Sequence, residues 1–234
     1  MDHSIRKLVW VSGLLAAASF VYVLVFSPVP DQRARARAAA AGERDQAPER
    51  WSAAELDRSF RTAFAQCRYR AADRISKEMV EQYTHQPVSW FNRALAMEKL
   101  EREHEAFNAW STLMHQIGSM PTANDRMAAH AAYYRGWAMR GMGDGDQSTG
   151  QFVEAVDRYE QSLGGREPMM GDAYNLACYA SLAGQTDRAI GYWERALATG
   201  YSDSGAWWTM DPDLDPIRRD GRFNEIARRY RFIE

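Results

Sequence analysis

The stretch DAYNLACYASLAGQTDRAIGYWERAL, residues 172–197, decides the fold. Its small and large apolar residues recur at helical spacing, because Ala189 lies twelve residues after Ala177 and Trp193 follows four residues later. Gly184 lies between the two halves, where the chain has to reverse direction. The stretch therefore predicts two helices joined by a tight turn.

The same spacing occurs twice upstream of this stretch. In the first copy, Ala106 lies twelve residues after Ala94, and Trp110 follows four residues later. In the next copy, Gly136 takes the small-residue position, but seven extra residues, 144–150, precede the second half. Polar turns can lengthen without disturbing a pair of helices, so we expect these seven residues (DGDQSTG) to form a turn.

These spacings resemble the tetratricopeptide repeat, in which pairs of antiparallel helices recur with a period of about 34 residues. In that family, small residues let the two helices approach closely, and a large aromatic residue fills the gap between neighbouring pairs. Insertions in turns, at 118–126 and at 144–150, account for the longer periods of this chain. The resemblance extends over about 51–233 and implies an all-α solenoid of helical hairpins, with about three to four repeats in residues 51–200.

A weaker first repeat and a C-terminal cap complete the predicted domain. Residues 51–66 are predicted to form one helix, with Ser52 as N-cap and Glu55 as its capping-box partner. Residues 69–82 are predicted to form the second helix of that repeat. Residues 201–234 resemble the short capping helices that close bacterial proteins of this family. Six apolar residues are expected to cover the open end of the last repeat: Trp207, Trp208, Leu214, Ile217, Phe223 and Ile226.

An uncharged apolar segment precedes the repeats. Residues 8–26 (LVWVSGLLAAASFVYVLVF) would form a helix of about 28 Å, which is close to the thickness of a bilayer core. We expect residues 1–30 to be a retained transmembrane anchor; the alternative is a cleaved signal peptide, although no small-x-small site follows promptly. Residues 31–50 are rich in Ala and Arg, and we expect a solvated tether or a segment whose arginines bind lipid phosphates.

The charges that flank the anchor leave its orientation open. Arg6 and Lys7 precede the anchor, and four arginines follow it between residues 33 and 44. Charge counting favours a cytoplasmic domain, whereas long domains translocate largely regardless of charge. Short N-terminal tails are more often left inside the cell. We therefore expect a single-pass protein of the bacterial inner membrane whose domain is periplasmic or otherwise extracytoplasmic.

Composition and spacing argue against several classes of function. The chain of 234 residues has a formal net charge of −2, which argues against a general nucleic-acid binder. Its two cysteines, Cys67 and Cys178, exclude a disulfide scaffold, and we expect both to be buried, inert thiols. The acidic run 211–220 lacks the glycine and the bidentate acid of a calcium loop, so we expect Asp–Pro turns there. No spacing suggests a nucleophile and its base, a cofactor, a metal or a small-molecule substrate, so we expect no enzyme.

The resemblance places the binding surface on the concave side of the solenoid, which the first helix of each pair lines. Lys and Arg, which hold a carboxylate in the chaperone-tail clamp of related proteins, are missing from the corresponding positions of this chain. An apolar helix or an extended segment is therefore the expected ligand. The alternative is that the aromatic rings pack within the superhelix. The predicted partner-binding residues are Phe91, Asn92, Leu95, Tyr133, Tyr134, Trp137, Tyr174 and Asn175.

These features predict a membrane-anchored protein–protein interaction module, which acts as an adaptor or assembly factor for a membrane-associated protein partner. The alternative is a permanent accessory subunit of a multi-subunit membrane complex, such as a respiratory or photosynthetic assembly. In that case Gly13 and the alanines at 16–18 offer a surface for close contact with another transmembrane helix.

Overall fold

The computed structural model describes residues 51–202 and 207–230. The predicted anchor (8–26) and tether (31–50) lie outside these residues. Within the two ranges, no helix combines the length and the apolar character needed to cross a membrane.

Eight helices of the range 51–202 form four consecutive pairs, and the short connections within each pair make its two helices antiparallel. No β-strand occurs among the residues that the structure describes, which confirms the prediction of an all-α helical repeat. Successive pairs stack through contacts of α2 with α3, α4 with α5 and α6 with α7. The helices are α1 (Ala53–Ala65), α2 (Tyr69–Gln82), α3 (Pro87–Lys99), α4 (Glu103–Ile117), α5 (Asp125–Gly141), α6 (Gly145–Leu163), α7 (Gly171–Leu182) and α8 (Thr186–Ala198). Two 3₁₀ turns (Trp207–Thr209 and Pro212–Leu214) and α9 (Gly221–Arg229) follow.

Side-chain caps fix where several of these helices begin. Ser52 and Glu55 form the predicted capping box at the start of α1, in which each side chain accepts a hydrogen bond from the other residue's backbone N–H. Asn124 accepts a hydrogen bond from the backbone N–H of Met127 at 2.9 Å and so caps α5. The linker before α5 is one of the two predicted insertions, and it lies between helices as expected.

The second insertion does not form the turn that the sequence predicts. Asp144 is the N-cap of α6, and the next six residues form the first turns of that helix. The Asp144 carboxylate accepts the backbone N–H of Gln147 at 3.2 Å, and the buried Ser148 hydroxyl donates to the carbonyl of Gly145 at 2.6 Å. Because these polar side chains satisfy helical backbone groups, the insertion lengthens α6 to nineteen residues, beside the seventeen of α5.

Small residues at the predicted positions bring the paired helices together. Ala94 and Ala177 are fully buried. A Cβ atom added to Gly136 would lie 2.6 Å from the Phe152 ring, so only glycine fits where α5 crosses α6. The large aromatic positions also follow the prediction, because Trp193 and its counterpart Trp110 are completely buried.

Part of the C-terminal region covers the last pair of helices. The rings of Trp208 and Phe223 lie 5.6 and 5.0 Å from that of Trp193, and α9 packs on α8. Leu214 and Ile217 are fully buried. Asp220 caps α9 by accepting the backbone N–H of Arg222 at 2.9 Å, as expected for an Asp turn.

We predict that enlarging the small residues between paired helices destabilises the fold. Ala94→Leu and Ala177→Leu should each lower the free energy of unfolding by about 1–3 kcal/mol, because the added carbons have no space. Urea denaturation followed by helical circular dichroism measures the change, with Ala123→Leu at an exposed position as the control. Unchanged unfolding of both buried variants would contradict this helix register.

Candidate functional site

Residues 207–214 lie against the first helices of three of the four described pairs, α1, α5 and α7. The Trp207 ring packs on Phe64 of α1 at a centroid distance of 5.7 Å, and the guanidinium of Arg61 lies 5.4 Å from the Trp207 ring. The second 3₁₀ turn contacts α7. We define the inner groove as the side chains of α1, α5 and α7 that bind this segment: Arg61, Phe64, Tyr133, Trp137, Tyr174 and Cys178.

The carboxylate of Asp213 binds two side chains of α5. The hydroxyl of Tyr133 donates to one carboxylate oxygen at 2.9 Å, and the indole N–H of Trp137 donates to the other oxygen, also at 2.9 Å. Because α5 has 3.6 residues per turn, positions four apart lie on one face, and this spacing aims both donors at the same carboxylate. Asp213 is therefore buried with both oxygens paired.

The carboxylate of Asp211 binds α7 and its own segment. The hydroxyl of Tyr174 and the indole N–H of Trp207 both donate to Oδ2, each at 2.6 Å. The other oxygen, Oδ1, accepts the backbone N–H of Asp213 at 3.0 Å, which closes the Asp turn expected from the sequence. Asp211 thus joins the tryptophan of the segment to the inner groove.

The carboxyl groups of Asp211 and Asp213 are buried close to each other. An oxygen of Asp211, an oxygen of Asp213 and the Sγ of Cys178 all lie within 4.8 Å of one another. Burial raises the pKa of Asp213 well above the usual range for aspartate, and the charge of Asp211 raises it further. Burial also raises the pKa of Asp211, against the opposing effect of the hydrogen bond from Tyr174. The positive charge of Arg61 favours the ionised form of both acids.

The donors around these groups decide what they can bind. All four carboxylate oxygens already accept an N–H or O–H hydrogen bond. Burial also raises the pKa of the Cys178 thiol, whereas a metal ligand has to be a thiolate. The set is therefore built as a hydrogen-bonded carboxyl pair and does not present free ligand atoms to a metal.

The structure brings most of the predicted binding residues together. Tyr133, Trp137 and Tyr174 belong to the inner groove, and Phe91 of α3 lies behind it. The Phe91 ring has centroid distances of 5.6 to 5.9 Å to Tyr133, Tyr134 and Trp137. Phe91 thus forms one cluster of rings with these three residues, whereas the Tyr174 ring stacks on Tyr201 at 4.2 Å. Tyr133, Trp137 and Tyr174 donate to the two aspartates.

The other three predicted residues make their contacts outside the inner groove. Asn92 is buried and donates to the carboxylate of Asp57 in α1 at 2.7 Å. Leu95 is buried in the core. Asn175 donates to the hydroxyl of Tyr159 in α6 at 3.1 Å, so its amide joins α7 to α6.

The segment that occupies the inner groove is absent from the sequence-based expectations. Those expectations place Trp207 only in the end cap, and they place Asp211 and Asp213 only in turns. The sequence does contain a signal for this contact, because these acids lie in an otherwise apolar stretch while the groove positions offer phenol and indole donors.

The prediction for Cys67 was wrong, since this thiol is exposed at the α1–α2 turn, whereas Cys178 is buried as expected.

No protein-family model and no curated protein matches this chain.

The raised pKa values of the acid pair predict a contribution to stability that falls as the pH rises. Burial lowers the pKa of His130 to about 4, which contributes in the opposite sense up to about pH 6.5, so the pair is tested by the difference in slope between variants. The folded chain keeps a proton on the pair where the unfolded chain has lost it, so this stabilisation is complete below about pH 4. It is lost as the pH rises through the folded pKa of Asp213, at about 1.4 kcal/mol for each unit of pKa difference. Asp213→Asn should remove this contribution, so stability should fall less, or rise more, with pH than in the wild type.

Chemical denaturation of the purified chain between about pH 4 and pH 9 measures the slope. Asp146→Asn, at an exposed position of α6, is the matched control and should keep the wild-type slope. Equal slopes in the wild type and Asp213→Asn would contradict a proton held by the buried pair.

Proposed function

We propose that this protein is a membrane-anchored protein–protein interaction module of the tetratricopeptide type. The repeating helical hairpins support this assignment, with small residues inside the pairs, Trp110 between the second and third pairs, and Trp193 between the last pair and the C-terminal region. In this proposal residues 8–26 are the anchor, residues 31–50 are the tether, and the repeats lie on the extracytoplasmic side of a bacterial inner membrane.

The observation that carries the proposal is the use of the inner groove to hold a protein segment. Tyr133, Trp137 and Tyr174 bind residues 207–214 through defined hydrogen bonds, and these three positions are the ones at which related repeats contact ligands. Phenol and indole groups combine a large apolar surface with one polar atom, which makes them common anchors in protein interfaces. The partner is therefore a protein segment bound in the inner groove.

A permanent accessory subunit is the second candidate. It is favoured by the fact that the chain fills its own groove, because a rigid, closed solenoid would then meet its partners through outer surfaces. Phe107 on α4 and Met169 before α7 are large apolar side chains with 51% and 55% of their surface exposed. In this case the membrane anchor would also contact the complex.

We propose a binding role and no catalytic one. The titratable groups that the groove brings together are buried and bonded to one another. Such groups fix a segment in place, whereas a catalytic acid or base has to reach a bound substrate.

We predict that groove substitutions weaken partner capture more than they weaken the fold. In co-purification from native membranes in mild detergent, Tyr133→Ala and Tyr174→Ala should cost about 1–3 kcal/mol of partner binding, because buried aromatic anchors dominate interfaces. Tyr192→Ala, at a half-buried position on α8, is the matched control and should keep capture. Capture that falls only in proportion to thermal stability, equally in all three variants, would contradict a binding groove.

The anchor is tested in the same system. Removing residues 1–30 should release a folded domain into solution, because the described residues 51–202 and 207–230 bury an apolar core among themselves. Labelling of the exposed Cys67 by a membrane-impermeant reagent on intact spheroplasts reports the side of the membrane, and protection of Cys67 would contradict the extracytoplasmic assignment.

A further inference from the structure

The inner groove offers hydrogen-bond donors, and the segment bound in it supplies the acceptors. Tyr133, Trp137 and Tyr174 contribute two hydroxyl groups and one indole N–H, all directed at carboxylates. The guanidinium of Arg61 adds positive charge on the α1 side. The groove therefore matches a ligand with two acidic groups, although Lys is missing from it.

The groove also has a place for an indole ring. The Trp207 ring contacts both the Phe64 ring and the guanidinium of Arg61, and 7% of the Trp207 surface is exposed. Its N–H donates to Asp211 of the same segment. Trp207, Asp211 and Asp213 thus form one unit, with spacings of four and two residues. The indole N–H of Trp207 orients the carboxylate of Asp211.

A second peptide segment with the same tryptophan and carboxyl groups would meet the same donors in the inner groove as residues 207–214. Two carboxyl groups with oxygens within 4.8 Å of each other are costly to bury, so the acid pair contributes position more than stability. A second segment with the same groups would regain each groove contact that residues 207–214 give up. The chain's own segment keeps only the advantage of its covalent attachment, which acts as an effective concentration.

We propose that the inner groove binds a partner segment carrying a tryptophan and two carboxylates spaced as in Trp207, Asp211 and Asp213, and that residues 207–214 occupy the groove in competition with it. This inference rests on the proposed function, because it names the chemistry of the partner at the same groove. A partner segment has to bind the inner groove more strongly than residues 207–214, whose covalent attachment gives them a high effective concentration there.

The test uses a fluorescent peptide with the sequence of residues 207–216 (WWTMDPDLDP) and the full chain in mild detergent. Trp207→Ala in the chain weakens the internal competitor, so the peptide should bind that variant at least about tenfold more tightly than it binds the wild type. A peptide with asparagine at both groove-binding aspartates should lose this binding. Adding Tyr133→Phe to the Trp207→Ala chain should weaken peptide binding, whereas adding Tyr159→Phe, outside the groove, should not.

A second measurement does not depend on the stability of Trp207→Ala. A protease site inserted between Ser202 and Trp207 allows the purified wild-type chain to be cut after folding. Excess fluorescent peptide should then bind the cut chain by displacing residues 207–214 from the groove, although α9 still holds the C-terminal fragment on α8, and the asparagine peptide should not bind. Binding of neither peptide to the cut chain, or equal binding of both, would overturn the proposal.

The two proposals fail in different ways. If Tyr133→Ala lowers capture of the native partner but the peptide neither binds nor displaces, the inner groove binds a partner of other chemistry and this inference is wrong. If the peptide exchanges as expected but groove variants of the Trp207→Ala chain, in which the internal competitor is weakened, leave native capture unchanged, the chemistry of the groove stands and the proposed function is wrong.

Discussion

Two buried carboxyl groups join residues 207–214 to the first helices of the third and fourth pairs, α5 and α7. Asp213 binds two donors of α5, and Asp211 binds a donor of α7 together with the tryptophan that packs on α1. In most solenoids each repeat contacts only its neighbours, so stability is nearly a sum of local terms. In this chain one short segment links three of the four repeats, which should make the solenoid unfold more cooperatively than its repeats alone would.

The polar character of this link has a structural consequence. An apolar segment could bind the ring cluster in several registers, because burial of apolar surface is not directional. Paired hydrogen bonds at Asp211 and Asp213 select one register, at the cost of burying acids that carry raised pKa values. In the function that we propose, the same directional groups give the inner groove its selectivity for a partner, so specificity and self-occupation would have one physical origin.

The sequence predicted the repeat well because its signals are local. Helix α2 has the predicted bounds, the Ser52–Glu55 box is present, and the buried alanines lie where the spacing places them. The errors have physical causes. The stretch 144–150 looks like a turn by composition, but its caps and side chains satisfy a longer helix. The position of 207–214 depends on contacts about 80 residues away in sequence, such as Tyr133 with Asp213, which no local pattern encodes.

A double-mutant cycle on Tyr133→Phe and Asp213→Asn tests the central claim most directly. If the phenol and the carboxylate bind each other in the inner groove, the two substitutions should be coupled by about 1–3 kcal/mol in the free energy of unfolding. Tyr133→Phe with Asp172→Asn, whose carboxylate binds Tyr159 instead, should be additive to within about 0.5 kcal/mol. Additive effects for the first pair would mean that the segment does not occupy the inner groove, and would contradict its role in joining the repeats.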